Sequence, residues 1–221
     1  MIALISDVHG NYEALKSTFN IIDAMGIKKI YCLGDIVGYY SQVNECCDEL
    51  RKRNIQCILG NHDWYLVTGK ACTRSKSAND CINYQREIIS SVNLDWLSSF
   101  PLVIEAGKLS LVHGGWNNPI DEYFTPTMEY FDSIVGSFFS SGHSHKPSVK
   151  YFGEKVYCNP GSVGQPRDGD RRASFATFDG STFKILRVDY NIEKVCLLME
   201  QAGFGSYYYN RLKKGAPNFT P

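Results

Sequence analysis

Residues 2–15 read IALISDVHGNYEAL. The apolar run Ile2 to Ile5 stops abruptly at Ser6-Asp7, as a short buried strand does when it reaches a loop. Asn11 is placed to cap a helix, and Tyr12, Leu15, Phe19 and Ile22 recur at helical spacing until Gly26 ends it. The same grammar repeats. Ile30 to Leu33 ends in Gly34-Asp35, a helix is expected over 43–53, and Gln56 to Leu59 ends in Gly60-Asn61-His62-Asp63. Strand, helix, strand, helix, strand predicts a parallel sheet covered by helices. Each strand delivers polar residues just past its C-terminal end, the edge at which open α/β sheets bind ligands.

Beyond residue 63 the texture changes. Residues 64–100 read as mostly helical, with a polar loop from Thr68 to Asp80. Short β segments follow at Leu102–Glu105, Leu109–His113, Phe138–Ser141, Val149–Phe152 and Val156–Cys158. Residues 174–190 read as a hairpin turning at Asp179-Gly180, and 191–214 as one or two helices. No linker or repeat divides the chain, so a single domain over 1–221 is expected.

Lysine plus arginine equals aspartate plus glutamate, 23 against 23, which removes any general attraction for nucleic acid or membrane. The N-terminus has neither the basic start nor the apolar stretch of a signal peptide, and no window resembles a membrane span. A cytoplasmic protein is the expectation. The eight cysteines sit partly within apolar runs such as IYCLGD and form no C-x-x-C pair; buried free thiols are expected rather than a disulfide framework or a zinc knuckle.

All five histidines fall in motifs that follow apolar runs: Asp7-Val8-His9, Asn61-His62-Asp63, Val112-His113-Gly114 and Gly142-His143-Ser144-His145. Gly34-Asp35 adds a carboxylate. One histidine after a strand is more often a structural hydrogen-bonding residue than a ligand, and an aspartate there is commonly a helix cap. The joint pattern, with no histidine left over, favours a metal centre. Residues i and i+2 of an extended segment point the same way, so Asp7 with His9, and His143 with His145, are expected to aim at one centre. Carboxylate, imidazole and amide donors suit manganese, iron or zinc better than calcium.

In this order the segments D-x-H, G-D, G-N-H-D, H-G and G-H-x-H resemble the calcineurin-like metallophosphoesterase family. The stretch Asn159-Pro160-Gly161-Ser162-Val163-Gly164-Gln165-Pro166-Arg167-Asp168-Gly169-Asp170 also resembles a loop of its small bacterial and archaeal members. The resemblance implies an α/β fold (α+β in some schemes), a four-layer sandwich of two mixed β-sheets flanked by helices. It implies two divalent ions, manganese first, with iron, zinc or nickel as alternatives. Asp7, His9, Asp35 and His145 would hold one; Asp35, Asn61, His113 and His143 the other, with Asp35 bridging. It further implies that His62 faces the substrate and that Asp63 orients the His62 imidazole. One departure is local: relatives often carry Gly-Tyr-Gly-Pro where this chain has Gly38-Tyr39-Tyr40-Ser41.

The expected activity is hydrolysis of a phosphate ester by a metal-bridging hydroxide. The substrate would be a diester, a dinucleotide polyphosphate or another small phosphorylated or nucleotide compound, with no specific nucleic acid and no membrane as partner. A phosphomonoesterase or protein phosphatase is the alternative; a metal-free binding scaffold is the other, disfavoured because every expected ligand type is present. Arg167 is a candidate to hold a second phosphate bidentately, against a surface salt bridge to Asp168 or Asp170. Asn11 is a candidate substrate contact, against its role as helix cap. Trp64, Tyr65 and Trp116 lie near the motifs, where stacking on a base competes with core packing, and packing is favoured.

Overall fold

The computed structural model describes residues 1–215. Its first sheet is built from β1 (Ile2–Ile5), β2 (Lys29–Cys32), β3 (Gln56–Cys57), β9 (Ala173–Phe178) and β10 (Phe183–Val188), in the order β10-β9-β1-β2-β3. The pairs β1–β2 and β2–β3 are parallel, and β9 pairs antiparallel with both β1 and β10. The second sheet holds β4 (Val103–Ala106), β5 (Leu109–Val112), β6 (Phe138–Ser141), β7 (Ser148–Phe152) and β8 (Lys155–Asn159), in the order β4-β5-β6-β8-β7. Its centre, β5–β6–β8, is parallel, and its two edges are antiparallel.

Strand alternation sends neighbouring residues to opposite faces, and three apolar clusters show where those faces go. Leu4, Tyr31, Leu33 and Ile58 of the first sheet meet Leu109, Leu111, Val156 and Cys158 of the second, forming the core between the sheets. Ala3, Ile5 and Cys32 point the other way, onto α1 (Tyr12–Ala24), α2 (Val43–Lys52), α3 (Asn61–Thr68), α4 (Lys76–Ile88), α5 (Ser91–Ser98) and α7 (Ile192–Gln201). On the outer face of the second sheet, Phe139 and Tyr157 pack with Phe131 of α6 (Met128–Asp132) and with Trp116 and Phe124. Helices, sheet, sheet and a thin helical cover make the four-layer α/β sandwich expected from the sequence.

Local chemistry sets the element ends. Asn11 accepts from Ala14 N at 3.1 Å and starts α1, and Gly26 follows its end at φ +69°. Ser75 caps α4 at Ala78 N, so the polar segment expected as a loop to Asp80 becomes helix five residues early, at Lys76. The strand expected to reach Leu59 stops at Cys57, because Leu59 N–H donates to Pro101 O instead of a strand neighbour. Helix α6 has too few residues for a periodic signal and was not expected. After α7 the C-terminal segment continues as two short 3-10 helices, Ser206–Tyr208 and Asn210–Lys214. All eight cysteines are buried free thiols. No helix among the described residues is long and apolar enough to cross a membrane.

Candidate metal centre

The loops after β1, β2 and β3, the segment after β5 and the turn after β6 converge where the two sheets meet. Asp7, His9, Asp35, His113, His143 and His145 are all buried there. Their donor atoms form two groups that share Asp35: Asp7, His9, Asp35 and His145 in one, and Asp35, His113 and His143 in the other. The Asn61 amide oxygen, 3.1 Å from His113 Nε2, joins the second. In the first group His145 Nε2 stands 3.2 Å from Asp7 Oδ1. In the second, His113 Nε2 stands 3.4 Å from Asp35 Oδ2.

The i, i+2 spacing works for a different reason than expected. Asp7, His9, Asp35, His143 and His145 are not extended; each adopts left-handed backbone, with φ between +54° and +65°. Such residues are uncommon outside glycine, and Asp and His are among the few that tolerate the region. Strain of this kind costs about 1–3 kcal/mol per residue and persists only where the surroundings over-determine it. Here cross-loop bonds do so: Asp7 N–H donates to Gly34 O at 3.0 Å, His9 N–H to Asp35 O at 2.9 Å and Gly142 N–H to His113 O at 3.0 Å. Asn61 and His62 open α3.

Three imidazoles are oriented by backbone carbonyls. His9 Nδ1 lies 2.8 Å from Val37 O, His113 Nδ1 2.7 Å from Leu33 O and His145 Nδ1 2.6 Å from Gln165 O. Donating there fixes the tautomer and leaves Nε2 of His9 and of His145 as a bare lone pair, whereas Asp35, against burial, raises the His113 pKa to about 10 in the metal-free site. His9 Nε2 and His145 Nε2 then face each other at 3.0 Å with no proton to share, an arrangement that calls for a cation beside both. Burial, reinforced by the neighbouring imidazole or by Arg167, holds His9 and His145 well below the usual histidine range, and burial drives His143 down to about 2. Neutral imidazole is the metal-binding form. Burial works against charge on Asp35 too, but His113, His62 and His9 together hold its carboxyl well below the usual range. The residues present therefore fit a pair of divalent ions.

Two expectations need correction. The Asp63 carboxylate does not orient His62: it accepts from the backbone N–H groups of Asp35, Ile36, Val37 and Gly60 at 2.8–3.1 Å. Its sequence neighbour is placed by the helix, while Asp63 clamps the loop that presents Asp35. Asn11 has no atom to offer a substrate. It is fully buried, its Oδ1 caps α1, and its amide nitrogen donates to Gly164 O at 2.9 Å.

His62 lies beside the two groups. Its ring sits 4.8 Å from that of His9 and 5.0 Å from that of Tyr39, its Nε2 is 3.9 Å from Asp35 Oδ2, and its Nδ1 is buried with no partner among the described residues. Arg167 makes neither surface salt bridge, since Asp168 pairs with Arg187 and Asp170 with Arg172. Its guanidinium instead reaches Gln165 Oε1 at 2.7 Å and the Tyr39 hydroxyl at 3.0 Å, close enough that its charge depresses both His62 and His145. Tyr65, Trp64 and Trp116 pack in the apolar clusters.

Sequence reasoning missed Tyr39 as the seat of Arg167, and also Gln85. The Gln85 side chain accepts from Gly38 N at 2.7 Å and donates to Tyr40 O at 2.5 Å, holding the β2–α2 loop. A signal existed: Gln85 continues the buried stripe Ala78, Cys81, Ile82 of α4, where a polar residue needs a partner. Gly60 is fixed by space. A β-carbon there would collide with the Asp35 carboxylate and Asp35 N, so Gly60→Ala is expected to destabilise the metal-free protein by about 1–3 kcal/mol in a denaturant melt. An unchanged midpoint would refute the crowding.

Comparison with known proteins identifies the family. An uncharacterized protein of Methanocaldococcus jannaschii is 42% identical over 220 residues, covering 88% of this chain and 89% of its own. The crystal structure of a metallophosphoesterase from Sphaerobacter thermophilus superposes with a TM-score of 0.85 at 31% identity, over 97% of this chain and 98% of that one. A hypothetical protein from Pyrococcus horikoshii OT3 shares the fold, with a TM-score of 0.84 at 22% identity over 98% and 99% of the two chains. Residues 1–182 match the calcineurin-like phosphoesterase superfamily domain. This chain belongs to that superfamily, and it is a metal-dependent hydrolase of phosphoester bonds.

Proposed function

We propose that the enzyme is a phosphodiesterase or dinucleotide-polyphosphate hydrolase working at two divalent ions, manganese by preference. The observation that carries the two-ion reading is the pair of bare Nε2 lone pairs on His9 and His145, 3.0 Å apart, beside a second donor group sharing Asp35. Bound there, the ions would supply Lewis acidity and bring the pKa of water toward neutrality. The remaining work falls to the chain. Asp63 fixes the backbone of residues 35–37 and so the aim of Asp35. Arg167, seated on Gln165 and Tyr39, presents a fixed cationic fork beside the site for phosphate oxygens. His62, at the first turn of α3, stands where a proton donor could meet a leaving oxygen.

The preference for a diester over a monoester is supported by room for a second organic group. A cavity of about 370 Å³ adjoins His143, lined by Tyr123, Phe124, Pro126, Lys146 and Tyr157 among others. This lies within the range of small-molecule sites, which are mostly apolar with a few placed polar groups. The test is kcat/KM for bis(p-nitrophenyl) phosphate, p-nitrophenyl phosphate and a dinucleoside tetraphosphate, each with manganese, zinc, nickel or iron. The diester or the dinucleotide should be preferred, with manganese supporting the fastest turnover. A preference for the monoester under every metal would replace this reading with the phosphomonoesterase one.

A further inference from the structure

Asp121 lies in the loop between β5 and α6, outside every motif. The loop is tightly built. Gly114 N–H donates to Pro119 O at 2.7 Å, Asn118 Oδ1 accepts from Ile120 N and Asp121 N at 3.2 Å, and Glu122 binds Asn117 N, Asn118 N and the Tyr130 hydroxyl at 2.8–3.1 Å. Arg74, from the loop before α4, pairs with Asp121 Oδ2. The carboxylate is thereby turned so that Oδ1 faces His143 Nε2 at 3.4 Å. Both of those atoms are buried, and neither has a hydrogen-bond partner among the described residues.

Two orphaned buried donors of metal-ligand type facing each other call for an occupant. Ligand atoms about 2.0–2.2 Å from one ion stand about 3–3.5 Å apart. The Asp121–His143 separation equals that of His113 and Asp35, 3.4 Å, and resembles the 3.2 Å between His145 and Asp7. The charges also leave room for it. The first donor group has two carboxylates, Asp7 and Asp35, whereas the second has only the shared Asp35 beside its imidazoles.

We propose that Asp121 is a further ligand of the second metal position, giving that ion a carboxylate of its own. The inference rests on the two-metal reading above. The test is titration of the metal-free full chain with manganese, free ion being counted by electron paramagnetic resonance, for the wild type, Asp121→Asn and Asp121→Ala. The wild type should bind two ions. Asp121→Ala should keep the affinity for one and weaken the other by at least about 10–100-fold, the loss that even groups around a ligand set produce. Asp121→Asn, which keeps an oxygen donor, should fall between, and added acetate should restore part of the loss in Asp121→Ala. Two ions bound to Asp121→Ala with wild-type affinities, or equal weakening of both, would overturn the assignment. A wild type that binds a single ion would instead overturn the two-metal reading itself.

Discussion

Asp35→Asn is expected to weaken both metal positions at once, by at least about 10–100-fold in affinity each, and to remove most activity at micromolar metal. Asp35 is the one residue common to both donor groups. Its Oδ1 accepts from His62 N at 2.8 Å, and its Oδ2 faces His113 Nε2 at 3.4 Å and His9 Nε2 at 3.8 Å. An amide can keep the first contact through its oxygen, but its NH2 then points at imidazole nitrogens and carries no charge for either ion. Thermal melting separates this from a general folding defect. In the metal-free state Asp35 and Asp7 repel, and that repulsion raises the Asp7 carboxyl, already lifted by burial. Against burial, His113, His62 and His9 nevertheless hold the Asp35 carboxyl well below its usual range, so the metal-free variant should melt lower than the metal-free wild type, and the diagnostic is the shift that metal adds to each. Saturating manganese should stabilise the wild type by the linkage term, about 2.7 kcal/mol per site at a hundred times Kd, and so raise its melting point, while raising that of the variant little. Elemental analysis giving two tightly held ions per chain in Asp35→Asn would refute the bridging assignment.

What the sequence disclosed follows from how the information is stored. Most strands were legible because their apolar runs stop at polar residues or glycine, although β3 ends two residues before its run does, and the donor set because all five histidines follow such runs. The backbone behind the D-x-H and G-H-x-H motifs was not legible. Extended and left-handed residues at i and i+2 both bring side chains to one side, so spacing alone cannot separate them, and only the positive φ of Asp7, His9, His143 and His145 does. Asn11 shows a second limit. The cap to Ala14 is local and readable, but its bond to Gly164 crosses 153 positions, and that second bond is what leaves it nothing for a substrate. Asp63 shows a third. In the chain it neighbours His62, yet α3 turns its carboxylate toward the amides of residues 35–37. Asp121 had no signal, because its meaning lies wholly in the side chain opposite.

Corrected in this way, the site divides by element. The parallel strands of both sheets bring donors to one edge, and the loops lock them through backbone bonds. Gln85, Gln165 and Asp63 are buried polar residues whose partners include the loop backbone or the side chains that sit on it. Removing such partners displaces ligands without touching them, and the cost should register in metal affinity before it registers in global stability. His62 differs from all of these. It is buried, yet its Nδ1 makes no bond to the scaffold among the described residues, so its placement is not explained by holding anything else in position.

That difference leads to the second large effect. His62→Ala is expected to leave both ions bound and to lower kcat about 10²–10⁴-fold, the usual worth of a positioned proton donor or acceptor. Its ring stands beside the first donor group, 4.8 Å from that of His9, with Nε2 3.9 Å from Asp35 Oδ2. It belongs to neither donor group, because it is the second residue of α3 and projects about 100° around the helix from Asn61. Burial lowers its pKa from the ordinary value, Asp35 opposes that, and Arg167 adds to it. A leaving oxygen of high pKa needs the His62 proton most, whereas a nitrophenolate leaves without help. The loss should therefore be largest for an alkyl phosphate ester and shrink for the nitrophenyl diester. A uniform loss on both esters would mean that His62 only binds phosphate oxygens and transfers no proton. Loss of an ion from His62→Ala, or full activity on the alkyl ester, would remove His62 from the chemistry altogether.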